Sequence, residues 1–355
     1  MREAIDSALS QTYPNIEVIV VNDGSNDDGG TREIALSYGD KIRYFEKDNG
    51  GVSTALNLGI QNMKGKYFSW LSHDDVYLPE KVQTEIDALR ASGDMSRIVY
   101  SNWSSLLMPE RKITEWTETL QYRQEFLETG TFASLFAFIS GCSLLIPKIY
   151  FDAYGGFDEN YRAVQDYKKW FEMFRGKRLI YIRKSLILSR VHIEQTTRTY
   201  DRIMEEEKWL HYYLFSNLES DDLVGSGLTD LYHLYSAVFS RWLHFPYPDA
   251  LSFVFQKLNE LPESPDTNER IKKFRKFLLD KKYKTYFLSE SEQPLRIAFA
   301  LRGMENDLNF IPSEQAVNII RKNNVRIFDF ISLRQWLIDT PIKKDLLNKV
   351  IKVGQ

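Results

Sequence analysis

The chain has 355 residues, a net charge of −3 at pH 7, 43% hydrophobic and 14% aromatic residues. That is enough for two domains, or for one packed domain with a large extension, and it carries no global nucleic-acid signature. The one cysteine, Cys142, excludes a disulfide framework and a cysteine metal cluster and fits a reducing, cytoplasmic location; no apolar run reaches the ~18 residues of a spanning helix, and the polar start MREAIDSALSQTYPN is no signal peptide.

Arg2–Gln11 reads as a helix with Ile5, Ala8 and Leu9 on one face, broken by Pro14-Asn15. Ile16–Val21 reads as a strand ending in the turn Asn22-Asp23-Gly24-Ser25. A helix over 31–38, a strand over 42–45, the turn Asp48-Asn49-Gly50-Gly51 and a helix over 52–63 follow. Tyr67–Leu71 is a short aromatic and apolar run, read as a buried strand that ends abruptly in Ser72-His73-Asp74-Asp75. Pro79 then opens a helix whose Val82, Ile86 and Leu89 recur at i, i+4 and i+7. Further strands are expected over 98–101, 140–147, 178–182 and 186–191, with helices over 148–154 and 164–174; Glu110–Gln124 could be a lid-like loop or a hairpin. Strands alternating with helices predict an α/β fold with a mainly parallel central sheet flanked by helices. From about Tyr200 the pattern changes to long amphipathic helices, which places a boundary near Thr197–Ile203, between a domain over 1–198 and a mostly helical carboxy-terminal extension over 199–355.

Asp74 and Asp75 are therefore expected where a strand leaves its sheet, the edge at which open α/β sheets bind ligands. Two adjacent carboxylates repel unless something positive joins them. A divalent cation with oxygen ligands, often carrying a phosphate, is the usual guest. An Asp-Asp pair is equally common as a plain turn.

Several separated stretches carry a resemblance: REAIDSALSQTYPNIEVIVVNDG (Arg2–Gly24), NGGVSTALNLG (Asn49–Gly59), LSHDDVYLP (Leu71–Pro79), GCSLLIPKIYFDAYGGFD (Gly141–Asp158), QDYKKW (Gln165–Trp170) and SRVH (Ser189–His192). In order and spacing they resemble the family-2 inverting glycosyltransferases of the GT-A fold, over about residues 2–195. The resemblance implies transfer of a sugar from a nucleotide-diphosphate sugar to an acceptor hydroxyl of a glycan, lipid-linked or protein substrate, as in cell-surface polysaccharide biosynthesis. It implies that Asp23, with Gly24, Asn49, Gly50, Asn57 and Asp74, binds the donor. It also implies that Asp75, Asp74 and His192 hold Mg²⁺ or Mn²⁺, and that Asp166 is the general base. A capping role for Asp166 at the start of its helix is compatible with that. Cys142 reads as a small buried residue rather than a nucleophile, and His73 as pointing away from the ligand. The chain departs from the family pattern at Ser72 and Gln165, where an acid is usual, and at Leu56, where a basic residue is usual. These departures favour an alternative, a noncatalytic nucleotide-sugar or glycan binder on the same scaffold. A nucleotidyltransferase is a third reading, but it would bring a Gly-rich basic loop near the amino terminus that the sequence lacks.

Family members also begin with a strand ahead of the helix at Arg2, which leads to the expectation that the product starts upstream or that the chain is a fragment. In the extension, Arg270–Lys284 interleaves basic residues with Phe274, Phe277, Leu278 and Leu279. That pattern suits a helix lying on an anionic membrane surface at the inner face of the membrane, or a solvated helix whose apolar stripe packs inside.

Overall fold

The structure, a computed structural model, describes residues 1–223 except 118, 120, 121, 123, 194 and 196–199, together with scattered positions between 231 and 257. The basic segment Arg270–Lys284 and most of the expected extension lie outside the described residues. The chain forms two compact units, the first holding Met1–Glu207 and the second beginning at Lys208.

In the first unit α1 (Arg2–Leu9), β1 (Ile19–Asp23), α2 (Gly30–Leu36), β2 (Arg43–Lys47) and α3 (Val52–Asn62) come first. β1 and β2 pair in parallel, from Ile19 against Arg43 to Asp23 against Lys47, and form a sheet of two strands. Ile5 of α1, Ala35 of α2 and Ile42 are buried together, with Val18 and Val20 packed against them. Next come β3 (Tyr67–Phe68), β4 (Val76–Tyr77), α4 (Lys81–Ser92), β5 (Val99–Leu107), β6 (Lys112–Glu115), α5 (Gln124–Leu127), α6 (Gly130–Leu135), β7 (Leu144–Pro147), α7 (Lys148–Tyr154), α8 (Gln165–Phe174) and β8 (Ile180–Val191). A further helix, α9, spans Ile203–Ser216.

The second sheet has six strands in the order β3-β7-β5-β8-β4, with β6 beside β5. It is mixed, which corrects the expectation of a mainly parallel sheet: β5 and β8 pair in parallel, while β3–β7, β5–β7, β4–β8 and β5–β6 are antiparallel. Connection length is the physical reason at one place. A parallel return needs a crossover of a dozen or more residues. Only residues 108–111 join β5 to its partner β6. The Glu110–Gln124 region accordingly begins as a hairpin, and the two short closing strands expected over 178–191 are one continuous strand, β8.

β3, β5 and β8 run in one direction, so their carboxyl ends share one edge of the sheet. The apolar face behind that edge is well filled. Ile86 and Leu89 of α4 pack on Val99 and Leu145, and α8 buries Trp170, Phe171, Met173 and Phe174. Trp170 and Phe174 stack at 5.4 Å. Gly130 of α6 sits so close to the Phe174 carbonyl that a Cβ could not be accommodated, which lets α6 lie against α8.

One buried feature runs against the apolar pattern. Lys81 and Glu85, one helical turn apart on α4, are both fully buried and bond at 2.9 Å. The Lys81 ammonium also reaches Ser69 Oγ at 3.0 Å and lies over the Tyr77 ring. Burial pushes the Glu85 carboxyl up to about 7 even with Lys81 beside it.

In the second unit, Leu214, Phe215, Leu234, Val238 and Trp242 are buried. His211 stacks on Tyr247 with ring centroids 3.8 Å apart. Among the described residues no helix is long and apolar enough to cross a membrane.

Candidate active site

Four of the expected donor residues, Asp23, Gly24, Asn49 and Gly50, come together at the carboxyl ends of β1 and β2. Asp23 is the last residue of β1, and its carboxylate reaches across to the turn after β2. Oδ1 accepts from Lys47 Nζ at 2.8 Å and from the Gly50 N–H at 3.0 Å, and Oδ2 accepts from the Gly51 N–H at 2.7 Å. Burial raises its pKa, but Lys47 and the two N–H groups outweigh that and hold it below the usual carboxylate range. The turn needs its glycines. A Cβ at Gly24, whose φ is +66°, would lie 2.5 Å from the Asn49 nitrogen, and one at Gly50 would lie 2.8 Å from Lys47 Nζ and Thr54 Oγ1. Gly51, with φ +90°, caps α3. Lys47 supplies, from a strand end, a positive charge that the helix position Leu56 does not, and Thr54 Oγ1 holds it at 2.9 Å.

Asn57, also expected at the donor, is engaged elsewhere within the protein. Its Oδ1 accepts the Phe157 N–H at 2.7 Å, and its Nδ2 donates to the Phe157 carbonyl and to Glu159. It pins α3 to the 155–159 loop.

The acid pair lies on the turn between β3 and β4, at the shared carboxyl edge, and the two side chains part ways. Asp74 turns toward His192, just beyond β8, with Oδ2 3.0 Å from the imidazole Nε2; both are partly exposed. Asp75 turns inward and is buried. Its Oδ1 accepts the Arg190 backbone N–H at 2.8 Å, and Oδ2 accepts the Cys142 thiol at 3.2 Å. Burial raises the pKa of Asp75, the Arg190 N–H opposes the rise, and the neighbouring Asp74 charge adds to it. The Cys142 thiol is itself pushed well up, first by burial and then by Asp75, so it stays protonated and able to donate. Its sulfur accepts the Ser72 N–H at 3.4 Å, which ties the start of the turn to its end. Cys142 is thus the small buried residue that the sequence suggested, with a hydrogen-bonding role beneath the acids that the sequence did not. His73 is exposed.

Among the described residues no three His, Cys, Asp or Glu side chains converge as a ready metal cage. Asp74 and His192 do fit two positions of an open site, one carboxylate oxygen and one imidazole nitrogen side by side, a donor set that suits Mn²⁺ and, through its oxygen, Mg²⁺. Asp75, committed to Arg190 and Cys142, lies directly behind them.

Asp166 is the second residue of α8, one step inside the helix; its N-cap is Val164, which makes no side-chain cap, so Asp166 is not the capping residue. Its Oδ1 accepts the Tyr167 N–H at 2.8 Å. Burial pushes its carboxyl up to about 6 against that hydrogen bond. Gln165 beside it is buried, with Oε1 unpaired among the described residues. The start of α8 is tied to the acid turn through one segment: Tyr167 donates its hydroxyl to the Ile139 carbonyl at 2.5 Å, three residues before Cys142. No hydrogen bond joins Asp166 itself to Asp74 or Asp75 among the described residues.

Sequence reasoning missed three contributors. Lys47 and Arg190 carry no spacing signal, and the role of Cys142 needed the fold. The only hint was Arg190 inside the SRVH stretch.

Comparison with known proteins places the chain among its relatives. Residues 1–154 match the model of Glycosyl transferase family 2. An uncharacterized glycosyltransferase of Rickettsia prowazekii is 46% identical over 224 residues, which cover 63% of this chain and 70% of that protein. One of Rickettsia bellii is equally similar over 224 residues, but they make up 32% of its length. Among solved structures, S. aureus TarS 1-349 in complex with UDP-GlcNAc superposes with a TM-score of 0.57 at 12% identity, covering 91% of this chain and 87% of that one; this is a likeness of fold. The chain belongs to glycosyltransferase family 2.

Proposed function

We propose that the chain transfers a sugar from a nucleotide-diphosphate sugar to a hydroxyl of a glycan, lipid-linked or protein acceptor, with inversion at the anomeric carbon and with a divalent metal. The observation that carries this reading is the Asp74–His192 pair on the carboxyl edge of the sheet, with Asp75 buried behind it. Asp74 and His192 would hold Mn²⁺ or Mg²⁺, which when bound offsets the charge of the departing nucleoside diphosphate. Asp23 orders the Asp48–Gly51 turn and presents Lys47 beside it, and this loop pair is the natural seat for the nucleotide. Asp166 is the general base. A carboxyl with a pKa of about 6 is ionised at neutral pH yet basic enough to take the acceptor hydroxyl's proton as that oxygen attacks the anomeric carbon from the face opposite the leaving group. The acceptor oxygen bonds to that carbon, the carbon–oxygen bond to the diphosphate breaks, and the proton ends on Asp166.

The test is nucleotide release from a panel of nucleotide sugars with Mn²⁺ or Mg²⁺, comparing wild type, Asp166→Asn and Asp74→Ala. Wild type should release nucleotide, and both variants should lose about 100-fold or more. Equal release by all three would overturn the assignment of roles. Donor binding without release by wild type would favour the noncatalytic alternative.

A further inference from the structure

Asp74 is held at both ends by two residues of the same strand end. Arg190, the penultimate residue of β8, and His192, just past it, are two apart and so lie on one face. His192 meets the Asp74 carboxylate, and Arg190 Nε donates to the Asp74 carbonyl at 2.6 Å. The Arg190 backbone N–H meanwhile holds Asp75. The rest of its guanidinium faces away from the acids, with Nη2 on Glu3 of α1 and Nη1 3.6 Å from Met108 Sδ.

Glu3 belongs to a polar row on α1 and its end, residues 3, 7 and 11, spaced one turn apart. Ser7 Oγ accepts the Tyr77 N–H at 3.1 Å. Gln11 donates to the Leu78 carbonyl at 2.8 Å and accepts the Val82 N–H at 3.0 Å. The whole row grips β4 and the start of α4, the segment immediately downstream of the acid turn, and Glu3 extends that grip to the turn itself through Arg190. Arg111 also pairs with Glu3 at 3.1 Å, on the exposed side.

We infer that Arg190 and Glu3 are positioning residues for the acid pair: Glu3 orients the Arg190 guanidinium, which fixes the Asp74 backbone so that its carboxylate stands beside His192. Arg suits this place because its planar fork can serve two acceptors in different directions at once; a lysine ammonium at the same position carries the charge but cannot span the Asp74 carbonyl and Glu3 with fixed geometry. The inference rests on the proposed metal role of Asp74 and His192 only for its effect on metal affinity.

The experiment uses the full chain and two conservative variants, Arg190→Lys and Glu3→Gln, each measured with Mn²⁺ alone and without metal. Loss of a residue that orients a metal ligand weakens metal binding by about 10-fold, and calorimetric titration of Mn²⁺ should show this in both variants. Their melting temperatures should stay within about 2 °C of wild type, as expected of partly exposed sites. The double variant should bind Mn²⁺ no more weakly than Arg190→Lys alone, because Glu3 acts through Arg190. In metal-free protein, the amides of Ser72–Val76 should exchange about threefold faster or more in both variants, with the amides of α8 unchanged. Unaltered exchange at Ser72–Val76 in folded variants would overturn the inference, as would wild-type Mn²⁺ affinity in both. Should wild type itself take up no Mn²⁺, the metal reading of Asp74 and His192 fails, and exchange at Ser72–Val76 alone decides the positioning role.

Discussion

Asp166→Asn should cost activity and gain stability, and the two effects should follow the same ionisation. The carboxyl sits at the first turn of α8 with a pKa of about 6 instead of 3.8, chiefly through burial. That gap corresponds to about 3 kcal/mol against the ionised form, at roughly 1.4 kcal/mol per tenfold. For an acid raised in the folded state, the stability contribution is fully present below the unfolded value of 3.8 and is lost as pH rises through 6. Asparagine is nearly isosteric, keeps an oxygen for the Tyr167 N–H and never ionises. The variant should therefore match wild type in stability near pH 4 and exceed it by up to about 3 kcal/mol by pH 8. Urea unfolding at half-unit pH steps measures the difference. In parallel, wild-type kcat/KM should fall below about pH 6 as the base is protonated, and the variant should be about 10²–10⁴-fold slower at pH 7.5. A stability difference that does not change between pH 4 and 8 would refute the raised carboxyl pKa, and wild-type rates in the variant would refute the base.

His192→Ala should raise the Mn²⁺ concentration needed for half-maximal nucleotide release by about tenfold or more; an unchanged metal dependence would remove His192 from the site. Asp23→Asn discards the charge that holds Lys47 and the Gly50 and Gly51 N–H groups. A charged hydrogen bond of this kind contributes about 1.5–3 kcal/mol, so the donor KM should rise about tenfold or more while kcat changes little, and steady-state kinetics separate the two. Lys81→Met leaves Glu85 buried without its cation and should destabilise the fold by about 3–5 kcal/mol, whereas Lys81→Met combined with Glu85→Leu should recover most of that loss. Equal stability of the single and double variants in urea would contradict the buried pair.

Much of the site was legible in the sequence because its chemistry uses residue types that stand out locally. Asp23-Gly24 and Asn49-Gly50-Gly51 are turn signals, Asp74-Asp75 interrupts an apolar run, and Asp166 opens a helix whose aromatic period is plain. The helices over 81–92, 148–154 and 165–174 lie within a residue or so of their sequence reading for the same reason. Strand direction was not legible. A period-two apolar run looks the same in either orientation, so the reversed direction of β7 was hidden, and with it the mixed character of the sheet; β4, two residues long, was not read as a strand at all.

What the linear order determined, then, was the inventory: which acids exist and which of them leave a strand or open a helix. Only the folded chain decided how each acid is used. Asp74 and Asp75 are neighbours with the same side chain, yet one meets His192 across 118 positions of sequence and the other is buried against Arg190 and Cys142. Which of the two leads to solvent and which to the core depends on what β8 and the 140–143 segment place there. Contacts between residues so far apart leave no local signature.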